Sequence, residues 1–155
     1  MKTILILILC FTFSFANYTI YYGNLKLGVI HTLDTIKENY LKVKITNVIA
    51  KLLIGKKELI FYNDKYTQKK NNKNTKYKKD KYRIIDIIKQ SISNSLIEGK
   101  FEITSEKYIK ITKNKNYNFQ YVSKGKIKSD GIIKVLNQEL LALIDEKNHV
   151  RIVKN

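Results

Sequence analysis

The sequence predicts a mainly β (α+β) fold: a single domain with an antiparallel, strongly curved sheet or incomplete barrel of about nine strands and one amphipathic helix. Three observations lead to this prediction. Aromatic and β-branched runs alternate with polar residues at a period of two. Turn residues separate these runs at hairpin spacing, which favours antiparallel pairing. Only residues 84–98 place their apolar side chains at the period of a helix.

The first sixteen residues, MKTILILILCFTFSFA, have the pattern of a secretory signal peptide. Lys2 precedes an apolar run that closes on the small-x-small pattern Ser14-Phe15-Ala16. A membrane span needs roughly 20 apolar residues, and this run is shorter. We therefore expect cleavage after Ala16, export to the periplasm, no membrane span, and one domain over residues 17–155.

Two alternatives for this segment stay open. One is a buried N-terminal helix, and the other is lipidation of Cys10, the single cysteine of the chain. A lipidation site has a small residue before its cysteine, whereas Leu9 stands there. Because Cys10 lies inside the predicted signal peptide, the exported chain is expected to form no disulfide.

The strands of the first half are predicted from alternation and from the turns between them. Residues 18–22 and 25–29 flank a turn at Gly23-Asn24. Residues 41–49 place Leu41, Val43, Ile45 and Ile49 on one face, and residues 59–62 follow a turn at 55–57.

Residues 65–83 form the most basic segment, with nine basic residues and one acidic residue in a chain of net charge +17. We expect a solvated basic loop that contacts anionic envelope lipid or polysaccharide. Its candidate contact residues are Lys69, Lys70, Lys73, Lys76, Lys78 and Lys79. The alternative is codon bias, since Ile, Lys, Asn and Tyr dominate the chain. Tyrosines within the segment resemble a single-strand nucleic-acid surface, but predicted export argues against that partner.

The predicted helix over 84–98 carries Ile84, Ile88 and Ile92 on one arc and polar residues on the other. Asp80 is its candidate cap, and Gly99 follows its end. A strand over 82–88 is the alternative, because isoleucine is a modest helix former. The second half then returns to strands at hairpin spacing, predicted at 101–104, 108–112, 117–122, 127, 132–136, 140–144 and 150–153, with one turn at Asp130-Gly131.

The opening YTIYYGNLKLGVI, together with AKLLIGKKELIFYND (50–64), the Asp86-started helix and SDGIIKVL (129–136), resembles domain-of-unknown-function family 3108. The likeness covers most of residues 17–144, and each motif consists mainly of strand residues and the turn residues between them. The chain lacks the proline expected at the start of the family's helix. This resemblance implies an exported, β-rich envelope protein with no established activity, and it carries over no catalytic residues.

Catalytic and cofactor motifs are not evident in the sequence. His31 and Asp34 form an H-x-x-D pattern, which is too short to indicate a metal centre with three or four ligands. His149, the other histidine, lies in a predicted turn. No G-x-S-x-G or glycine-rich phosphate loop occurs. We predict no cofactor, no metal and a protein that is not an enzyme. Tyrosine suits a half-wet wall around an amphipathic ligand, so the candidate ligand-binding residues are Tyr18, Tyr22, Tyr62, Tyr117 and Tyr121. Strand preference of tyrosine is the alternative explanation.

The first functional hypothesis is a non-enzymatic periplasmic binding or envelope-assembly factor for an amphipathic or anionic component, with anionic lipid, lipopolysaccharide or an envelope protein as partner. A second hypothesis is a structural protein that pairs a strand edge with a protein partner. An envelope hydrolase that uses His31 and His149 is the third.

Overall fold

The computed structural model describes residues 17–67, 72–93 and 98–155. Two helices, α1 (Val48–Ile54) and α2 (Ile84–Ile92), and a short 3-10 helix (Asp34–Ile36) accompany one sheet. Its eleven strands are β1 (Tyr18–Tyr22), β2 (Leu25–Ile30), β3 (Tyr40–Ile45), β4 (Glu58–Tyr62), β5 (Thr75–Lys79), β6 (Gly99–Thr104), β7 (Lys107–Lys113), β8 (Tyr117–Ser123), β9 (Lys126–Leu136), β10 (Glu139–Asp145) and β11 (Val150–Lys154).

The strands form an open sheet in the order β5-β4-β3-β2-β1-β11-β10-β9-β8-β7-β6. All neighbours pair antiparallel except β4 and β5, which are parallel. The predicted mainly β fold is therefore confirmed, and the described residues form eleven strands instead of about nine and two α-helices instead of one.

A single side chain shows how strongly this sheet curves. The Arg83 guanidinium lies 2.7 Å from Asp64, just after β4, and also lies close to the side chain of Tyr121 in β8. Seven strand spacings separate β4 from β8 in the sheet order, which corresponds to roughly 34 Å in a flat sheet. The two halves must therefore wrap towards each other around the start of α2.

Buried isoleucines attach α2 to the inner face of the curved sheet. Ile84, Ile85, Ile87 and Ile88 are all buried, as the helical period predicts. Asp80 caps the helix as expected, because its Oδ2 accepts the backbone N–H of Ile85 at 2.8 Å.

The predicted helix end at 98 is wrong. The helix ends at Ile92, and the Ser91 hydroxyl donates to the carbonyl of Ile87 inside its last turn, a bond that competes with regular helix geometry. Ser93 is extended and Gly99 already opens β6, while residues 94–97 lie outside the described part of the chain.

Helix α1 replaces the end of a predicted strand. The alternation of Leu41, Val43 and Ile45 stops at the end of β3, and Asn47 then caps a helix by accepting the backbone N–H of Ala50 at 3.1 Å. Ile49 continues the period of two only by coincidence, because it lies in this helix.

Two turn and loop predictions are also corrected. The predicted basic loop over 65–83 contains β5, which pairs with β4 from Glu58–Thr75 to Tyr62–Lys79. The predicted turn at Asp130-Gly131 lies inside the eleven-residue strand β9. A Cβ at position 131 would lie 1.8 Å from the carbonyl oxygen of Ile144 on β10. Glycine at this position therefore marks a close approach of the two backbones and not a turn.

Candidate functional site

A cavity of about 520 Å³ lies between the start of α2 and the inner face of six neighbouring strands, which are β5, β4, β3, β2, β1 and β11 in sheet order. Its size falls in the range of small-molecule sites. Most of its wall is aliphatic or aromatic, contributed by Ile20, Tyr22, Leu27, Leu41, Ile54, Leu59, Phe61, Ile84, Ile85, Val150 and Ile152. The rest of the lining is the run from Lys78 to Tyr82, together with Lys76.

The register of β4 and β5 explains how lysines reach an apolar wall. Lys76 pairs with Leu59, and Lys78 pairs with Phe61. Because alternate residues of a strand share one face, these two lysines lie on the cavity side of the edge strand. Both remain exposed, so their long stems border the apolar wall while their ammonium groups reach solvent.

Only part of the lysine charge is neutralised by the protein itself. Lys79 pairs with Asp64 at 2.5 Å, and its hydrogen bond, together with that of Arg83, lowers the pKa of the Asp64 carboxyl. Within the described ranges, no carboxylate pairs with Lys76, Lys78 or Lys81. The cavity therefore has an apolar wall and a cationic rim.

Asp80 is the acidic group of the cavity lining, and it is turned towards the backbone of α2. Its two oxygens accept the N–H groups of Tyr82 at 3.2 Å and of Ile85 at 2.8 Å. Burial raises the pKa of this carboxyl to about 6, although these backbone hydrogen bonds act in the opposite direction.

A polar network fixes the start of α2 beside the cavity. Arg83 has a left-handed backbone conformation with φ of 60°, and its guanidinium contacts both Asp64 (2.7 Å) and Asp86 (3.3 Å). Asn63 is buried and donates to the second Asp86 oxygen at 3.0 Å. These bonds tie α2 to the end of β4, so the cavity has a supported wall.

The five predicted ligand-binding tyrosines are not gathered around this cavity, where only Tyr22 lies in the lining. Tyr18 and Tyr121 are buried in the core, and burial raises the pKa of Tyr18. Tyr62 packs against Tyr66 with 5.7 Å between ring centroids. The Tyr117 ring lies 5.5 Å from the Lys113 ammonium.

Among the predicted basic contacts, Lys76, Lys78 and Lys79 line the cavity. Lys69 and Lys70 lie outside the described residues, and Lys73 is exposed, with its carbonyl accepting a hydrogen bond from Lys56 at 2.8 Å. Lys81 and Tyr82 also line the cavity, and neither was predicted from the sequence as a contact residue. The signal for the rim was present in the spacing of Lys76 and Lys78, which places both on one face of any strand.

The two histidines lie at opposite ends of β1. His31 follows Ile30, the partner of Tyr18, and the carbonyl of His149 accepts the N–H of Gly23 at 2.7 Å. Strand geometry separates these ends by roughly 20 Å, which is too far for both side chains to act on one bond.

Residues 17–67, 72–93 and 98–155 contain no group of three or more His, Cys, Asp and Glu side chains arranged to hold a metal ion. No helix within these ranges has the length and apolar character needed to cross a membrane. Comparison with protein-family models, with curated proteins and with solved structures gives no match to this chain.

Proposed function

We propose that the protein binds an anionic amphiphile, a molecule with an apolar chain and a negatively charged head, and acts in the periplasm as a non-enzymatic binding or envelope-assembly factor. The observation that carries this proposal is the pairing of Lys76 with Leu59 and of Lys78 with Phe61. The apolar chain would occupy the wall of the cavity, and the head would meet the lysines at its rim.

The lysines of β5 have a second physical explanation. Charged side chains on an edge strand discourage the pairing of that edge with other chains, and β5 is one of the two edges of the sheet. Edge protection explains why lysine occurs in β5, but it does not require an apolar cavity of about 520 Å³ behind those side chains. An anionic amphiphile accounts for both features.

A direct test is native mass spectrometry of residues 17–155 purified gently from a host periplasm at low salt. The described strands and helices all lie within this range, so the domain can be studied without the predicted signal peptide. We expect a reproducible extra mass that is extracted by organic solvent and identified as an anionic lipid. A bare protein mass, together with failure to take up added fatty acid or phosphatidic acid, would refute the proposal.

Variants of the rim make this test specific. Lys76→Gln/Lys78→Gln should weaken binding of a fluorescent fatty acid about tenfold, since two favourable charge contacts are lost. The matched control is Lys126→Gln/Lys128→Gln, which removes the same charge at the same spacing from exposed positions on β9. Equal weakening in both variants would mean that only net charge matters. The cavity itself is tested by Leu27→Trp, which places a larger side chain in its wall.

A second candidate function rests on the free edge of β6. This strand ends the sheet opposite β5 and pairs only with β7 among the described strands, so it offers backbone donors and acceptors to a protein partner. Crosslinking from an introduced cysteine, Lys100→Cys, in intact cells should then trap one discrete heteromeric product. Recovery of monomer alone would count against this function.

The resemblance to domain-of-unknown-function family 3108 stays a prediction and assigns no activity.

A further inference from the structure

Helix α1 exposes an unusual amount of apolar surface. Val48, Ile49, Leu52 and Leu53 are 70%, 58%, 78% and 75% exposed. Ala50 is the only buried residue of this seven-residue helix. Scattered exposed apolar residues are ordinary, but four large aliphatic side chains on two turns form a contiguous patch that marks an interaction site.

The charged residues within α1 and directly after it are lysines. Lys51 lies within α1, and Lys56 and Lys57 follow it, all three exposed. The sequence contains no acidic residue from position 39 to position 57. Aliphatic side chains interspersed with lysine are the composition of helices that lie in the interface of an anionic bilayer.

The patch also stands next to the cavity. Ile54, the last residue of α1, is part of the cavity lining. Tyr22 and Tyr82 also line it and are themselves exposed, and tyrosine is a residue that favours the boundary between lipid and water. A surface that covers α1 would therefore lie close to the lysine rim.

We propose that α1 is a docking element that inserts its aliphatic side chains into the surface of an anionic lipid bilayer. A second copy of this chain is a poor occupant, because each copy carries a net charge of +17 and the two would repel. A protein partner is less suited, because protein interfaces are enriched in aromatic residues and arginine and depleted in lysine. Docking goes beyond ligand binding, since it concerns how the protein reaches a membrane surface.

The first experiment is co-sedimentation of residues 17–155 with vesicles of phosphatidylcholine and phosphatidylglycerol at a ratio of three to one. Leu52→Gln/Leu53→Gln should weaken association at least tenfold without changing the thermal unfolding midpoint, because these side chains are exposed. The matched control is Ile127→Gln/Leu136→Gln, which removes two exposed apolar side chains from β9 and should bind as the unaltered protein does. Equal binding by the α1 variant would overturn the proposal.

A second measurement reports insertion directly. The chain contains no tryptophan, so Leu52→Trp introduces a single tryptophan, whose emission can be excited selectively, at the centre of the patch. Its emission should shift to the blue on addition of the same vesicles and should be quenched by brominated acyl chains. Leu136→Trp is the control and should show neither effect. An unshifted Leu52→Trp spectrum in sedimenting protein would refute insertion of α1.

Docking and ligand binding can fail separately in these tests. Leu27→Trp should lose the fluorescent fatty acid but keep vesicle association, and the α1 double variant should show the reverse. A dimer in analytical ultracentrifugation that is abolished by the α1 double variant would instead identify a second copy as the occupant, and would overturn bilayer docking. Loss of vesicle association in Leu27→Trp, with its fold intact, would contradict the independence of the two surfaces.

Discussion

The Oδ2 atom of Asp80 accepts the backbone N–H of Ile85 at 2.8 Å, five residues further along the chain. Asp80 thus caps α2 although Arg83 occupies the formal N-cap position and makes no side-chain cap bond there. The carboxyl is buried beside the cavity, and that burial raises its pKa to about 6. An ordinary aspartate titrates near 3.9, so the folded state holds this proton more tightly than the unfolded state does.

We expect this difference to make stability fall as the pH rises from about 4 to about 6. The contribution of Asp80 is fully present below pH 4 and is lost as the pH passes its folded pKa, with a total of roughly 3 kcal/mol. Urea unfolding at intervals across this range measures it. Asp80→Asn should remove this part of the pH dependence, while Glu146→Gln, at an exposed position, should retain it. Parallel profiles for Asp80→Asn and the unaltered protein would contradict the assignment.

Arg83→Ala should destabilise the fold by about 3 kcal/mol, because it removes the buried guanidinium that pairs with Asp64 and Asp86 and lies close to Tyr121 on the opposite side of the curved sheet. Arg151→Ala is the matched control. Its guanidinium lies 4.9 Å from the Tyr21 ring, a contact worth at most about 1 kcal/mol at a partly exposed site. Chemical denaturation of both variants measures the difference, and comparable losses in the two would show that Arg83 has no special role in closing the sheet.

Gly131→Ala should destabilise by about 3 kcal/mol or more. The new Cβ would lie 1.8 Å from the Ile144 carbonyl oxygen, so β9 and β10 would have to separate. Gly99→Ala is the control, because the nearest atom to its Cβ would be Phe101 Cζ at 4.0 Å. Thermal unfolding of the two variants distinguishes them, and a tolerated Gly131→Ala would mean that the two backbones can move apart without loss of pairing.

The parts of the fold that the sequence predicted correctly are those decided by local pattern. Leu41, Val43 and Ile45 alternate because one face of β3 is buried, and all three are buried in the structure. The four isoleucines of α2 follow the helical period for the same reason. These segments reveal their structure because burial imposes a period on them.

The cavity could not be predicted in this way because it depends on pairing between distant segments. β5 carries lysine on its inner face, so its period of two gives no hydrophobic signal, and its parallel pairing with β4 follows a connection of twelve residues. Nothing local brings Lys78 beside Phe61. The five tyrosines were predicted to bind a ligand from their residue type alone. Their residue type does not show which of them are buried in the core and which line the cavity, because that depends on how the strands pack.

Asn47→Ala should loosen α1 without unfolding the domain. A helix of seven residues is too short to be stable by itself in water, and α1 is held to the core only by the buried Ala50 and the partly buried Ile54. Its ends therefore matter: Asn47 accepts the N–H of Ala50 at 3.1 Å, and Gly55 closes the helix with φ of 71°. Loss of the cap should lower the local stability of α1 by about 1 kcal/mol, seen as roughly fivefold faster amide exchange in residues 48–55.

Asn47→Asp keeps an accepting oxygen and should exchange as the unaltered protein does. Exchange in β1 and α2 should stay unchanged in both variants, because their hydrogen bonds open only with the core; faster exchange there would mean that α1 is part of the cooperative fold instead of a surface element.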